Sequence, residues 1–317
     1  MSAGVFTVGT RGSQLAMTQT RWAADAVTRA SGVAHEVVTV RTEGDVLTGP
    51  LSQLGGTGVF ATALRSRVLD GDVDLAVHSL KDLPTSDVEG LVVAALPERE
   101  DPRDALCARD GLTLEELPEG AAVGTGSPRR VAQLRALRPD LRIVDIRGNV
   151  GTRLNRVAPA DPGDPGDLDA VVLAASGLIR LGLEGRITQY LDPHLMLPAP
   201  GQGALALEVR ADLDPDTELA RGLAAVDHLP TRLAVTAERT VLATLEAGCA
   251  APVGTYARLV DGVLELEVVV ADPDGSEVMR HAASLPGADL EGAAALGAHV
   301  AQELLGNGAG RLARLSL

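Results

Sequence analysis

Lysine is almost missing from this chain: Lys81 stands alone against 27 arginines in 317 residues. Aromatic side chains are as scarce, with two Phe, two Tyr and one Trp, so the cores must be packed with Leu, Val, Ile and Ala. The two cysteines, Cys107 and Cys249, lie far apart in no metal-spacing pattern, and the six His are scattered, so no metal site is expected. So few cysteines fit a reducing cytoplasm. No apolar run is long enough to cross a bilayer. The opening MSAGVFTVGTRGSQ lacks the basic region and apolar core of a signal peptide. A cytoplasmic protein away from the membrane is expected. The net charge of −15 disfavours general binding to nucleic acid or anionic lipid, and leaves room only for a local basic cleft.

What is present alternates. Strand-like runs at 5–9, 35–42 and 74–78 are separated by helical stretches at 13–30, with Ser13 as N-cap, and 58–70. The pattern returns with strands at 121–124, 141–146 and 170–175 and helices at 127–137 and 150–156. Two similar α/β units with mainly parallel sheets are the economical reading. Such sheets bind ligands at the carboxyl ends of their strands. LPEREDPRD (96–104) and LPAPGQGALALEVR (197–210) read as joints between the units, and 158–168 reads as a polar surface loop. The remainder differs. Residues 216–246 are mostly helical, two strand-like runs flank Asp261-Gly262 as a hairpin, and a last helix covers about 290–305. This is a small α+β third domain with Cys249 in a Gly-containing loop at its entrance.

Three features carry chemistry. Lys81 resisted whatever bias replaced lysine elsewhere, and a compact ammonium is not interchangeable with a planar guanidinium. It lies in HSLKDLP, just past a buried strand; chance placement is the plainer alternative. Asp82 beside it suits a general acid or base or a stabiliser of developing positive charge, and equally a turn residue before Pro84. Arginines gather near carboxyl ends of strands: Arg11, Arg129, Arg130, Arg147, Arg153 and Arg180. Together they could bind several carboxylates in bidentate fashion, although any one of them could simply cap a helix or cover a surface. Cys249 in its loop is a nucleophile or an attachment point, against the commoner fate of an inert buried thiol; Cys107, in ALCA, reads as core.

Several blocks resemble the hydroxymethylbilane synthase (porphobilinogen deaminase) family. They are RGSQLAMTQ (11–19), HSLKDLP (78–84), EREDPRDAL (98–106), VGTGSPRR (123–130), RGNVGTRL (147–154), ASGLIRLGL (175–183), LPAPGQGALALE (197–208) and ERTVLATLEAGCAAPVG (238–254). They occur in family order as far as about residue 255, and together they are highly specific. The resemblance implies an α/β fold of two similar periplasmic-binding-protein-like (type II) domains plus a small α+β C-terminal domain. The expected boundaries are 1–98 with 202–220, then 103–197, then 222–317. It also implies a transferase of porphyrin and haem biosynthesis, with dipyrromethane bound covalently to Cys249 through a thioether. Four porphobilinogen molecules would be joined to it with loss of ammonia, and water would release 1-hydroxymethylbilane.

By the same resemblance Asp82 and Lys81 are catalytic and also touch the cofactor, together with Thr125, Ser127, Arg129, Arg130, Arg147 and Gly148. Arg11, Ser13, Gln19, Phe60, Arg153 and Arg180 match substrate contacts. Porphobilinogen is the expected partner, without nucleic acid or membrane, and the chain is expected as a monomer. Four departures stand out. Thr57 replaces a common lysine, Ala247 replaces the first glycine of a Gly-Gly-Cys signature, Ala250 replaces a common polar residue, and the 158–168 loop is rich in Pro and Gly. Alanine disfavours positive φ, so a differently shaped cysteine loop is expected. A two-lobed binding module without catalysis explains the duplicated units and the arginines, but not Lys81-Asp82 or a third domain with a loop cysteine. A nucleic-acid binder using SPRR and RGN conflicts with the acidic total.

Overall fold

A computed structural model describes residues 4–40, 59–157, 166–248 and 251–312. Along the chain, β1 (Val5–Arg11), α1 (Gln14–Ser31), β2 (Ala34–Val40), α2 (Val59–Leu69), β3 (Leu75–Ser79) and β4 (Leu91–Ala95) come first. Next are β5 (Asp104–Ala108), β6 (Ala122–Gly124), α3 (Pro128–Leu137), β7 (Arg142–Val144), α4 (Val150–Leu154), β8 (Ala170–Ala174), α5 (Ala175–Arg180) and β9 (Gln189–Tyr190). Then β10 (Leu205–Arg210), α6 (Glu218–Val226) and α7 (Leu229–Thr244) precede β11 (Val253–Val260), β12 (Val263–Ala271), β13 (Val278–Pro286), α8 (Leu290–Gly306) and α9 (Ala309–Leu312). These form two compact units: Met1–Glu100 with Ala204–Arg232, and Asp101–Gly203 with Leu233–Leu317.

The first unit is built on one sheet in the order β2-β1-β3-β10-β4. β1 pairs parallel with β2 and β3, whereas β10 runs antiparallel between β3 and β4. Strand residues alternate between two cores, as period-two geometry requires. Phe6, Val8, Leu75, Val77, Leu205 and Leu207 pack with Ala23, Ala24 and Val27 of α1 and Leu223 of α6. Ala76 and Val40 pack with Leu64 and Val68 of α2. Ser13 caps α1 by accepting from the Ala16 N–H at 3.3 Å, and Gly32, at φ 74°, ends it.

The second unit holds two sheets. Its five-stranded sheet has the order β7-β6-β8-β5-β9, and its pairing repeats that of the first unit: β6 is parallel to β7 and β8, and β5 is antiparallel to β8 and β9. In both sheets the antiparallel fourth strand is the one formed just after the chain has passed between the units, β5 after residue 100 and β10 after residue 203. The two faces of this sheet have separate cores, one around Cys107, Val171 and Leu173, the other around Leu106, Val172 and Leu134 of α3.

The other sheet, β11-β12-β13, is antiparallel and backed by α7, α8 and α9. Asp261 and Gly262 both have positive φ, 49° and 77°, the backbone that a tight hairpin of the right twist needs. Its third strand was not read from the sequence. VMRHAASLP alternates between exposed and half-buried positions, too weakly apolar for the period to show. β4 runs directly into the charged joint and does not show in the sequence either, and the segments read as joints run into strands of their own, β5 from the end of 96–104 and β10 inside 197–210. The Arg135 Nη1 donates to the Pro273 carbonyl at 3.1 Å, and Arg280 donates to the carbonyls of His194 and Leu195, joining the two sheets of this unit.

Gly297 lets α8 lie against α7, since a Cβ there would stand 2.3 Å from the Ala237 carbonyl oxygen. Gly297→Ala is therefore expected to lower stability by about 1–3 kcal/mol through overpacking, despite the better helix propensity of alanine. Urea unfolding of the two proteins checks this, and equal midpoints would refute the close contact.

Candidate active site

In the first unit β3 is buried along its length and delivers a polar turn at its carboxyl end. Ser79 is followed by a single 3-10 turn, Leu80–Asp82. Leu80 and Leu83 are buried on either side, leaving Lys81 half-buried and Asp82 exposed. The Leu80 N–H donates to the Ala204 carbonyl at 3.0 Å and the Leu83 N–H to the Leu80 carbonyl at 3.1 Å, which fixes the turn. β1 lies beside β3 and parallel to it, so Arg11 and Ser13 emerge at the same sheet edge. Gln19, for which the resemblance implies a substrate contact, is buried, and its Oε1 accepts from the Ser79 hydroxyl at 3.1 Å. The Thr20 hydroxyl donates to Thr10 Oγ1 at 2.7 Å beneath the same edge. Thr57 and the side chain of Phe60 lie outside the described residues.

In the second unit β6 ends at Gly124, and Thr125 is buried, its Oγ1 accepting from the Ser127 N–H at 3.3 Å. Gly126 passes so near the next strand's exit that a Cβ would meet the Ile146 carbonyl oxygen at 2.6 Å. Ser127 then precedes α3, whose first turn carries Arg129 and Arg130. Both are buried, and both meet Asp104, which is fully buried at the start of β5. Arg129 Nη1 donates to Asp104 Oδ2 at 2.7 Å and to the Leu197 carbonyl at 2.6 Å. Arg130 donates to Asp104 Oδ1 through Nε at 3.0 Å and Nη2 at 2.8 Å, and to the Val172 carbonyl through Nη1 at 3.0 Å. The Gln202 amide adds a fourth bond to Asp104 Oδ1 at 2.9 Å. Burial would push the Asp104 carboxyl up, but the two guanidinium groups outweigh it and hold it well below the usual carboxylate range.

The expected set of ligand-binding arginines thus divides. Arg129 and Arg130 have structural partners, and Arg180 donates to the Gly203 carbonyl at 2.6 Å. Asp104 was not singled out in the sequence; its signal there is an acid opening the apolar run DALCA. Arg153, on α4, is different. It is half-buried, with its Nε sealed from solvent and without a hydrogen-bond partner among the described residues. Burial lowers its pKa, Arg130 and Arg147 lower it further, and only Asp145 opposes them. Arg147 itself is exposed, followed by Gly148 at φ 98° and by Asn149, which caps α4 by accepting from the Thr152 N–H at 2.9 Å. Arg153 is thus held among other guanidinium groups, an environment whose chemistry suits a carboxylate.

Cys249 lies outside the described residues, as does Ala250. Before it, Leu245 and Ala247 pack into the core behind the three-stranded sheet. The residue with left-handed backbone is Glu246, at φ 49°, not Ala247. Alanine in place of the signature glycine therefore meets no positive-φ demand, and the distortion expected from it does not arise at that residue. The Cys107 thiol is buried and pushed up to about 11, so it holds essentially no thiolate at neutral pH. Among the described residues no group of three His, Cys, Asp or Glu side chains is arranged to hold a metal ion.

A family model described as "Porphobilinogen deaminase, dipyromethane cofactor binding domain" matches residues 6–218, and "Porphobilinogen deaminase, C-terminal domain" matches 232–306. A porphobilinogen deaminase of Leifsonia xyli is 58% identical over 98% of this chain and 95% of its own length. That of Micrococcus luteus is 55% identical over 95% and 93%, and that of Thermobifida fusca 53% over 98% and 97%. Among solved structures, an ABC-transporter periplasmic substrate-binding protein from Coxiella burnetii aligns with TM-score 0.44 and 16% identity over 70% of this chain and 91% of its own.

Removing one partner from a buried ion cluster strands the others. Asp104→Asn is expected to cost about 3–5 kcal/mol of stability, measurable as a lowered unfolding midpoint. A midpoint equal to that of the parent would show that the arginines do not depend on this carboxylate.

Proposed function

Because the chain belongs to the porphobilinogen deaminase family, we propose that it joins four porphobilinogen molecules head to tail, with loss of one ammonia each, and releases 1-hydroxymethylbilane with water. The observation that carries this at the level of residues is Arg153, a half-buried guanidinium whose sealed Nε has no partner among the described residues and which feels the charge of Arg130 and Arg147. Each pyrrole of the substrate bears an acetate and a propionate, so a growing chain is a polycarboxylate. A gathering of guanidinium groups in a protein of net charge −15 fits that ligand.

The same gathering fits dipyrromethane, which carries the same carboxylates. Held as a thioether by Cys249, that group supplies the pyrrole ring to which the first substrate is joined. Arg147, Arg153, Thr125, Ser127 and the backbone at Gly148 bind its carboxylates, with Arg129 and Arg130 setting the field from their places against Asp104. Arg11, Ser13 and Arg180 serve the carboxylates of incoming units. Cys107 cannot compete for attachment, because its thiol is buried and protonated.

Asp82 is the acid–base group. Its exposed carboxylate, at the tip of a turn braced by Leu80 and Leu83, assists departure of the amino group and stabilises positive charge at the pyrrole nitrogen. Lys81 is a compact cation beside it, placed to hold a substrate carboxylate. In this reading the protein is a cytoplasmic monomer that binds neither nucleic acid nor membrane. Its acidic charge disfavours anionic surfaces, and among the described residues no helix is long and apolar enough to cross a bilayer.

Intact mass under denaturing conditions is the direct test of attachment. The parent protein is expected to carry the excess mass of two pyrrole units and Cys249→Ser to lack it; an equal excess in both would move the attachment elsewhere. Asp82→Asn is expected to keep that mass and lose about 10²–10⁴-fold in kcat, the usual weight of a positioned acid–base group. An unchanged kcat would take Asp82 out of the reaction.

A further inference from the structure

The first unit holds a second buried cluster of ionisable side chains, which the proposed chemistry does not use. Glu208 of β10 is 2% exposed. Arg65 of α2 grips its carboxylate as a fork, with Nε 3.1 and 3.0 Å from the two oxygens and Nη2 2.8 Å from Oε1. Nε2 of His78, on β3, lies 3.2 Å from Oε2, at ion-pair distance though outside hydrogen-bond alignment. Strand register explains the meeting. Ala206 stands opposite His78 and Glu208 opposite Ala76, so His78 and Glu208 share one face, a diagonal step apart. Burial would raise the Glu208 carboxyl, but His78 and Arg65 outweigh it and bring it to about 2.

Such a cluster is a poor way to gain stability, since apolar replacements of similar volume are often as stable or more so. β3 is already held by main-chain pairing with β1 and β10. What the cluster adds is fixed geometry at one place. Three consecutive residues each have a separate neighbour: His78 lies against Glu208 at 3.2 Å, the Ser79 hydroxyl donates to Gln19 of α1 at 3.1 Å, and the Leu80 N–H donates to the Ala204 carbonyl at 3.0 Å. Lys81 and Asp82 follow at once.

We propose that Glu208 and His78 are positioning residues for the Lys81–Asp82 turn. The carboxylate, clamped by Arg65 from the helix side, holds His78 and with it the carboxyl end of β3, so that Asp82 is presented in one place. A displacement of an ångström at a reacting group can cost about a hundredfold in rate, so a brace three to four residues away bears on turnover more than on binding. This inference rests on the reading that Asp82 acts in the reaction.

The test uses the holoenzyme. Glu208→Gln is expected to lower kcat about tenfold or more while KM for porphobilinogen stays within about twofold. Its two-pyrrole mass stays intact. Combining Glu208→Gln with Arg65→Met removes the stranded cation; the melting temperature is expected to recover while kcat stays low. His78→Gln, which leaves the Arg65–Glu208 fork in place, is expected to reproduce the loss in kcat. Parental kcat in both Glu208→Gln and His78→Gln overturns the proposal, and so does a kcat that returns together with the melting temperature in the double variant. Asp82→Asn is assayed beside them. Lost activity there with unchanged Glu208→Gln and His78→Gln defeats this inference alone, whereas full activity in Asp82→Asn defeats the Asp82 reading and the inference with it.

Discussion

A carboxylate sealed from water must be matched by cations or give up its charge, and Asp104 is matched twice. It opens β5 as the chain enters the second unit, and its oxygens take donors from Arg129, Arg130 and Gln202. Four donors nearly exhaust what a carboxylate can accept. One side chain thereby registers β5 against the first turn of α3 and against the segment around residue 202. Arg129 and Gln133 reach on to the Leu197 carbonyl, at 2.6 and 3.0 Å, and Glu238 of α7 accepts from the Gly201 N–H at 2.7 Å. The segment leading to β10 is thus tied from several sides by buried polar groups within this unit. Two guanidinium groups on one carboxylate leave a unit of positive charge over, and Arg153 adds to it. An acidic protein acquires a locally positive field in this way, because a low-dielectric surround screens little of it.

The first unit solves a similar problem in the same place. In both five-stranded sheets the buried carboxylate sits on the antiparallel fourth strand, Glu208 on β10 and Asp104 on β5. The cations differ. Glu208 is met by one arginine from α2 and by a histidine on the neighbouring strand, Asp104 by two arginines from a single helix turn. The first cluster joins two strands and a helix just before the Lys81–Asp82 turn, whereas the second gathers two guanidinium groups at the start of one helix, where Arg130 also acts on Arg153.

Asp104 also changes what Arg129 and Arg130 can be. Arg130 commits Nε and Nη2 to Asp104 and Nη1 to Val172, so its contribution to a ligand is chiefly its charge. Gln19 is committed in the same sense, to Ser79. A side chain of the right type at the right motif position can support a site without touching what binds there. The cysteine loop gives a parallel case. The left-handed residue is Glu246, so alanine at 247 is accommodated in the core at 8% exposure without backbone strain.

Much of this was legible in the chain itself. Alternation located β2 and short apolar runs located β1, β3, β6 and β8, Asp261-Gly262 located the hairpin, and the repeated strand–helix pattern announced two α/β units. Short motifs placed Lys81-Asp82 and the arginines at strand ends, because carboxyl-end loops are read directly from where strands stop. Local pattern could not reveal β13, whose alternation is faint, nor which arginines are spoken for. That was decided by tertiary structure alone. Asp104 lies 25 and 26 residues before its arginine partners and 98 before Gln202, and Glu208 lies 143 residues after Arg65. A sequence states which charges exist; burial and pairing, which set whether a charge braces the fold or faces a ligand, exist only once the strands are brought side by side.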